Sequence, residues 1–384
     1  RLWNAAFAKM IPTRKQNVWR KNMKNRKVLL ITAILCTALF TGCTSKADSS
    51  ATKENNTENT ESSTQSDDAD SQEASTELFA MDTYMSLKAY GENAQEAVDA
   101  AADEIKRLDE VLSTGDENSD VGQINANGGG SLTDDTSYLL ERSMELYEKT
   151  DGLFDIAIYP IMEAWGFTTQ NYRVPEDSEL KELLKLTDAS EIQYDEKNKK
   201  VSFDQEGMKI DFGGIAKGYT SARIMDIFKE HGVESGLANL GGNVQVLGTK
   251  TDGSQWRVAI QSPSSEEEYL GILTTQDKAV ITSGGYERYF EQDGKTYHHI
   301  IDPRTGYPAE NGLISVSIVS SDGTLADGLS TSLFIMGEEK AEAFWKEHSD
   351  EFDMILEAED GTLSVSEGIA DQFESEHKVN VIKK

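Results

Sequence analysis

Three short stretches of this chain place glycine beside polar or charged side chains, as ligand-binding turns do. In the first, KIDFGGIAKGY, a predicted strand ends at Phe212 and a predicted helix begins at Ile215, with a glycine pair between them. Such a turn lets the backbone approach a ligand closely and directs free helix N–H groups at an anion. Lys217 lies one turn inside the helix and can add a positive charge for phosphate. The structural alternative is a tight turn followed by a solvated lysine.

The second stretch, HHIIDPRTGYP, combines two histidines with a turn. A predicted edge strand ends at Asp302 and Pro303, and the chain then turns through Gly306. Histidine titrates near neutral pH, so either ring could act as a general base. Neighbouring residues of a strand point to opposite faces, so His298 and His299 would meet different surroundings. Surface histidines without a function would give the same pattern.

The third stretch, LADGLSTSLFIMG, predicts a helix whose first half is polar. Asp327 and Thr331 are four residues apart, so their oxygens project from one face of that helix. A carboxylate and a hydroxyl are hard oxygen ligands suited to a Mg²⁺ ion shared with substrate phosphates. An aspartate that only complements the helix dipole is the alternative. An anion-binding turn, oxygen ligands and a basic side chain are the parts that phosphoryl chemistry requires, but they do not identify the nucleotide.

Hydrophobic periodicity predicts the framework that must position these stretches. Amphipathic helices are predicted over residues 93–112, with Asn93 as N-cap, over 135–149, ending before Gly152, and over 215–230. Short β-branched segments in the second half predict strands, namely NVQVLG, WRVAIQ, AVITSG, YERYFE, TYHHIID and LISVSIVSS. The QDGK segment at 292–295 predicts a hairpin turn. The predicted fold class is α/β, a mixed α+β domain.

Length, composition and charge restrict the class of protein. The chain has 384 residues, of which 38% are hydrophobic, and this is enough to bury a large core. Its formal net charge of −31 argues against a nucleic-acid partner, because phosphate-backbone binding needs a basic face.

The N-terminal segment predicts a signal peptide over residues 1–43. Basic residues precede an apolar run from Val28 to Phe40, which is short for a membrane span. The run leads into LFTGC, which resembles the lipobox of bacterial lipoproteins and predicts lipidation of Cys43. That lipid would hold the protein at the extracytoplasmic face of the cell membrane.

Three further expectations concern the chain around this signal. A complete signal peptide would start at Met23, so residues 1–22 are expected to lie outside the native product. Residues 44–75 are mostly serine, threonine, asparagine and acidic side chains, which predicts a disordered polar tether. Cys36 would be removed with the signal, so the mature chain could form no intramolecular disulfide.

Eight sequence blocks follow one another along the chain: AMDTYMS, SDVGQIN, DGLFDIAIYPIMEAWGF, IDFGGIAKGYTSARI, ANLGGNVQVLG, TSGGYERYF, HHIIDPRTGYP and ADGLSTSLFIMG. In these blocks, from about Phe79 to the C-terminus, the sequence resembles the ApbE family of flavin transferases. The resemblance implies one large domain over residues 76–384, with mixed β-sheets flanked by helices. It also implies a Mg²⁺-dependent enzyme that splits FAD, releases AMP and joins FMN to a threonine of a target flavoprotein. The acceptor threonine of such targets lies in a Ser/Thr-Gly-Ala-Thr-like motif.

The resemblance also implies roles for single residues. The positions where the family contacts FAD are Met81, Leu153, Phe154, Asp155, Asp211, Lys217 and Ile301. The metal ligands are the side chains of Asp327 and Thr331 and the backbone carbonyl of Gly214, and His299 is the general base. The chain departs from the family twice: Gly115 stands where many members have an aromatic residue, and Ser330 where some have an acidic one.

Two other functions fit the same sequence. An FAD pyrophosphatase would use the same metal and pyrophosphate site, with water as the acceptor. A lipoprotein that only binds flavin would share the tether and the lipobox, but it would not need an Asp and Thr metal pair beside an anion-binding turn.

Overall fold

The computed structural model describes residues 72–384, apart from the side chains of residues 266 and 267. The predicted signal peptide with Cys43 and nearly all of the predicted tether lie outside the described residues. The first strand begins at Glu73, so it includes the last residues of the predicted tether and crosses the predicted domain boundary at residue 76. No helix within 72–384 combines the length and the apolar character that crossing a bilayer requires.

The described chain alternates between helices and strands. The α-helices are α1 Ala94–Leu112, α2 Asp120–Asn127, α3 Asp134–Lys149, α4 Tyr159–Trp165, α5 Asp177–Leu183, α6 Ala216–Glu230, α7 Gly323–Met336 and α8 Glu338–His348. The strands are β1 Glu73–Ala80, β2 Thr83–Tyr90, β3 Gly129–Ser131, β4 Ile192–Asp195, β5 Lys200–Phe203, β6 Ser235–Leu240, β7 Asn243–Leu247, β8 Trp256–Ser262, β9 Ser265–Thr275, β10 Ala279–Gly284, β11 Tyr289–Gln292, β12 Lys295–His298, β13 Leu313–Ser320, β14 Asp353–Ala358, β15 Leu363–Ser366, β16 Phe373–Glu374 and β17 Val379–Ile382.

A nine-stranded sheet forms the centre of the fold, in the order β1-β2-β6-β7-β10-β13-β14-β15-β17. Its strand pairs are antiparallel except for β15 and β17, which run parallel. Helices α1, α6 and α7 pack on one face, and the three-stranded sheet β16-β9-β8 covers the other. The predicted fold class, mixed sheets flanked by helices, is confirmed.

The alternation along the central strands shows why both faces are covered. In β10, Ala279 and Ile281 belong to the core under the helices, whereas Val280 belongs to the core under the small sheet. In β13, Ile318 and Val319 divide in the same way. Because successive side chains of a strand point to opposite faces, apolar residues at every position require a layer on each side.

Several predicted elements are confirmed within one residue. Helices α1, α3 and α6 match the three predicted amphipathic helices, although Asn93 donates to the carbonyl of His231 rather than capping α1. The QDGK hairpin joins β11 to β12, and both Asp293 and Gly294 have positive φ, as a tight two-residue hairpin turn requires.

The prediction of a strand that ends at Phe212 is wrong. Residues 208–212 form no regular secondary structure. The side chain of Asn125 takes the place of a neighbouring strand, since it accepts from the N–H of Ile210 and donates to the carbonyl of Ile210. The N–H of Asp211 donates to the carbonyl of Ile156. The backbone of this segment is therefore satisfied by tertiary contacts that sequence periodicity does not reveal.

Candidate active site

Helices α6 and α7 cross at two glycines, and this crossing defines the centre of the candidate site. A β carbon on Gly218 would lie 2.2 Å from the carbonyl oxygen of Gly323, and one on Gly323 would lie 2.9 Å from the carbonyl oxygen of Gly218. A side chain at Gly218 would overlap backbone atoms, so the two helices approach at a distance that only glycine permits. This approach brings Asp327 of α7 against the first turn of α6.

Asp327 is buried between two fixed hydrogen-bond donors. Its Oδ2 accepts from the N–H of Gly218 at 2.7 Å, and its Oδ1 accepts from the side-chain amide of Asn243 at 3.0 Å. Burial raises the pKa of this carboxyl, and the positive charge of Lys217 opposes the rise. The helix-dipole alternative does not describe this residue, because its side chain is only 5% exposed and Asp322 caps α7.

The glycine turn before α6 lies beside Thr331. A β carbon on Gly214 would lie 3.1 Å from Cε2 of Phe154 and 4.0 Å from Oγ1 of Thr331. Asp211 holds the turn in place, because its Oδ1 accepts from the N–H of Gly213 at 2.7 Å. The structure therefore brings together the three positions that the family resemblance assigns to a metal ion.

The donors at these positions fit Mg²⁺ chemically. A carboxylate has about four acceptor directions, and the hydrogen bonds to Asp327 use two of them, so a metal ion can still bind. No group of three or more His, Cys, Asp or Glu side chains within residues 72–384 is arranged to hold a metal. One carboxylate, one hydroxyl and one backbone carbonyl suit an ion that retains waters and shares substrate phosphates.

His299 follows β12 and is half-buried near Arg288 and Lys217. Its Nδ1 donates to the carbonyl of Arg288 at 3.2 Å, which leaves Nε2 without a proton. Burial lowers the pKa of His299 to about 3, and the positive charge of Arg288 adds to this effect. The ring is therefore neutral at physiological pH and can accept a proton at Nε2.

His298 has a different environment from its neighbour. Its Nε2 donates to the carbonyl of Ala309 at 3.0 Å, and its Nδ1 accepts from the N–H of Ile300 at 3.2 Å. Both nitrogens are engaged with backbone, and the ring packs edge-on against Phe334. Of the two adjacent histidines, only His299 has a nitrogen available as a base.

Sequence reasoning missed two charged residues of this region, Glu287 and Arg288. Both lie in the TSGGYERYF block, where the family resemblance assigns a role to neither. The side chain of Glu287 is exposed, but neighbouring protein atoms still desolvate it and raise its pKa. The positive charge of Lys217 opposes this rise. The positive charges of Lys217 and Arg288 both act on this carboxyl, so the three side chains lie close together, and we call the region between them the recess. Lys217 and Arg288 give that recess two positive charges suited to a pyrophosphate.

Apart from Lys217, the predicted FAD-contacting residues are three buried apolar side chains, the turn residue Met81, and two aspartates. Leu153, Phe154 and Ile301 are buried apolar side chains, so they support the site from the core. Met81 lies in the β1–β2 turn with φ of 47°, a strained conformation for a side chain of this size. Its sulfur lies 3.7 Å from the hydroxyl of Thr220, which donates its proton to the carbonyl of Ala216.

Asp155, like Asp211, is an acidic residue among the predicted FAD contacts. Its oxygens accept from the N–H groups of Ala157 and Ala189, and burial raises its pKa to about 6. Burial also raises the pKa of Asp211. The bond between the N–H of Asp211 and the carbonyl of Ile156 links the Asp155 segment to the glycine turn.

An open depression of about 520 Å³ lies elsewhere, on the sheet formed by β3, β4 and β5. Gly130, Tyr194 and Lys200 are among the residues that line it. None of its lining residues belongs to the candidate site, so the depression has no part in phosphoryl chemistry at α6 and α7.

Comparison with known proteins identifies the family. The ApbE family model matches residues 81–356. The chain belongs to the ApbE family. This match covers the glycine turn, His299 and the α7 pair of Asp327 and Thr331, which lie within one continuous region.

Named relatives and solved structures agree with this membership. The chain is 37% identical to an FAD:protein FMN transferase of Klebsiella pneumoniae, over 64% of this chain and 77% of that one. It is 33% identical to one of Treponema pallidum, over 76% and 86%. An ApbE protein of Thermotoga maritima has a similar fold, with a TM-score of 0.74 and 34% identity over 78% of this chain and 99% of that one. The flavin transferase ApbE of Vibrio cholerae aligns with a TM-score of 0.71 and 25% identity, over 78% and 99%.

Proposed function

We propose that this chain is an FAD:protein FMN transferase that joins FMN to a threonine of a partner flavoprotein and releases AMP in a Mg²⁺-dependent reaction. ApbE relatives that carry this name support the transferase activity. The observation that carries the proposal is the arrangement around α7. There, Asp327, Thr331 and the Gly214 turn meet beside Lys217.

The reaction follows from the charges in the recess. The hydroxyl oxygen of the acceptor threonine attacks the FMN-side phosphorus, the bond from that phosphorus to the bridging oxygen breaks, and AMP leaves with the electron pair. The threonine proton passes to Nε2 of His299, which is unprotonated in the free protein. Bound Mg²⁺ would neutralise phosphate charge.

The positive charges of the recess have a second effect on the base. Burial holds the pKa of His299 low in the free protein, and the positive charges of Arg288 and Lys217 add to this effect. A bound pyrophosphate brings negative charge to the same place and compensates those cations. His299 therefore becomes a stronger base when the substrate is present.

The test is incubation of the protein with FAD, Mg²⁺ and an acceptor domain that bears a Ser/Thr-Gly-Ala-Thr-like motif. Mass spectrometry should find one FMN on the motif threonine, and AMP should appear in equal amount. An acceptor with Ala in place of that threonine, and a reaction in EDTA, are the controls. Release of FMN and AMP without a modified acceptor would favour the pyrophosphatase, and unchanged FAD would favour a flavin-binding protein.

We further propose that the protein is anchored at the extracytoplasmic face of the cell membrane through a lipid on Cys43. The lipobox-like LFTGC and the polar sequence that follows it as far as β1 support this location. The test is a comparison of wild type with Cys43→Ala expressed at matched levels. Only the wild-type protein should incorporate a labelled fatty acid and remain with the membranes. Equal labelling of both proteins would contradict the anchor.

A further inference from the structure

Three hydroxyl groups form a connected chain beneath the proposed metal position. The Oγ of Ser330 lies 2.8 Å from the carbonyl oxygen of Asp327 and 2.7 Å from the Oγ of Ser283. The Oγ of Ser283 lies 3.4 Å from the Oγ1 of Thr331. This hydroxyl chain thus runs from Thr331, a predicted metal ligand, through Ser283 of β10 and Ser330. It ends at the backbone carbonyl of Asp327, the other predicted ligand residue.

The donor and the acceptor of each hydrogen bond in this hydroxyl chain follow from the number of protons that each group carries. A carbonyl oxygen only accepts, so Ser330 donates its single proton to Asp327. Ser330 must then accept from Ser283, and Ser283 has no proton left for Thr331. The remaining bond is therefore donated by Thr331 to Ser283.

We propose that Ser283 and Ser330 are positioning residues that orient the Thr331 hydroxyl as a metal ligand. With its proton directed at Ser283, the Thr331 oxygen turns its lone pairs away from β10 and toward the proposed ion. Partners that fix the orientation of a ligand in this way strengthen metal binding. The inference rests on the metal site of the proposed function and adds two residues that the family resemblance does not assign.

The inference also explains the departure at Ser330. An acidic side chain at this position would add negative charge, but Ser330 is fully buried and its oxygen is engaged by Ser283 and Asp327. In this protein, Ser330 therefore acts on the metal by fixing the direction of the hydrogen bonds that orient Thr331. The set of proposed metal ligands then contains one carboxylate, that of Asp327.

The neighbouring strand residues supply a matched control. Ser283 points toward α7, whereas Thr282 points to the opposite face and pairs with Ser317 at the same separation, 2.7 Å. Loss of the Ser317 hydroxyl removes an equivalent hydroxyl pair from the same region of the sheet without touching Thr331.

The experiment is an electron paramagnetic resonance titration of the full-length protein with Mn²⁺, alone and with FAD. Ser283→Ala should raise the Kd for Mn²⁺ about tenfold or more, the usual result of losing such a partner. Ser283→Thr keeps a hydroxyl and should retain wild-type affinity, and Ser317→Ala should do so as well. Thermal melts without metal establish that each variant is folded.

Two results would overturn the proposal. One is wild-type Mn²⁺ affinity in folded Ser283→Ala, and the other is an equal loss of affinity in Ser283→Ala and Ser317→Ala. A wild-type protein that binds no Mn²⁺ would contradict the proposed metal-dependent function itself. Differences among the variants concern the hydroxyl chain alone, so the two failures are distinguishable.

Discussion

The N–H of Gly218 donates a 2.7 Å hydrogen bond to Oδ2 of Asp327, and this bond joins α6 to α7. One helix follows the glycine turn, and the other carries both predicted metal-ligating side chains. The bond forms only because a glycine at position 218 lets the helices touch. The geometry of the site therefore depends on helix packing as much as on the ligands themselves.

Gly218→Ala is expected to separate the two helices. Its β carbon would lie 2.2 Å from the backbone of Gly323, which cannot move without displacing α7. Overpacking of this kind destabilises a core by about 1–3 kcal/mol. Denaturant unfolding measures the loss, and Mn²⁺ titration should show weaker binding. Gly115→Ala, at an open position, is the control and should change neither quantity.

Asp327→Asn is expected to abolish metal binding and transfer while the protein stays folded. Asparagine retains an oxygen for one of the two buried donors, whereas alanine would leave the N–H of Gly218 and the amide of Asn243 without a partner. Each unsatisfied group costs about 1–3 kcal/mol, so Asp327→Ala should be markedly less stable than Asp327→Asn. Transfer by Asp327→Asn in EDTA at saturating FAD would contradict the metal assignment.

His299→Ala is expected to reduce FMN transfer by a factor on the order of 10² to 10⁴, the range for loss of a general base. FAD binding should change little, because the neutral ring contributes no charge to the pyrophosphate site. Fluorescence titration with FAD and the transfer assay can use one preparation, with the exposed His377 replaced by alanine as control. A parallel loss of affinity and rate would make His299 a binding residue.

Asp155 is expected to make stability depend on pH. Its folded pKa of about 6 lies above the ordinary value of 3.8, so the folded state binds more protons between these values. Its contribution is therefore present below about pH 4 and is lost as pH rises through 6, by up to about 3 kcal/mol. Asp155→Asn should remove this dependence. Unfolding of both proteins at about pH 4.5 and pH 7.5 measures it, and an unchanged difference would refute the assignment.

The sequence by itself determined the parts of this protein that are local. Period-3.6 apolar spacing located α1, α3 and α6, and the Asp293 and Gly294 pair located the β11–β12 turn, because helix faces and hairpin turns depend on neighbours in the chain. Motif order along the chain was sufficient for the ApbE family. Spacing of four residues placed Asp327 and Thr331 on one helix face.

Only the tertiary structure decided how these parts act on one another. Asn125 satisfies the segment expected to be a strand, His298 is held by backbone while His299 keeps a free nitrogen, and Ser283 reaches Thr331 from a distant strand. The contacts that decide these outcomes join residues 11 to 85 positions apart in the chain. Burial and hydrogen-bond direction, which set pKa values and ligand orientation, arise from such contacts, and no local pattern encodes them.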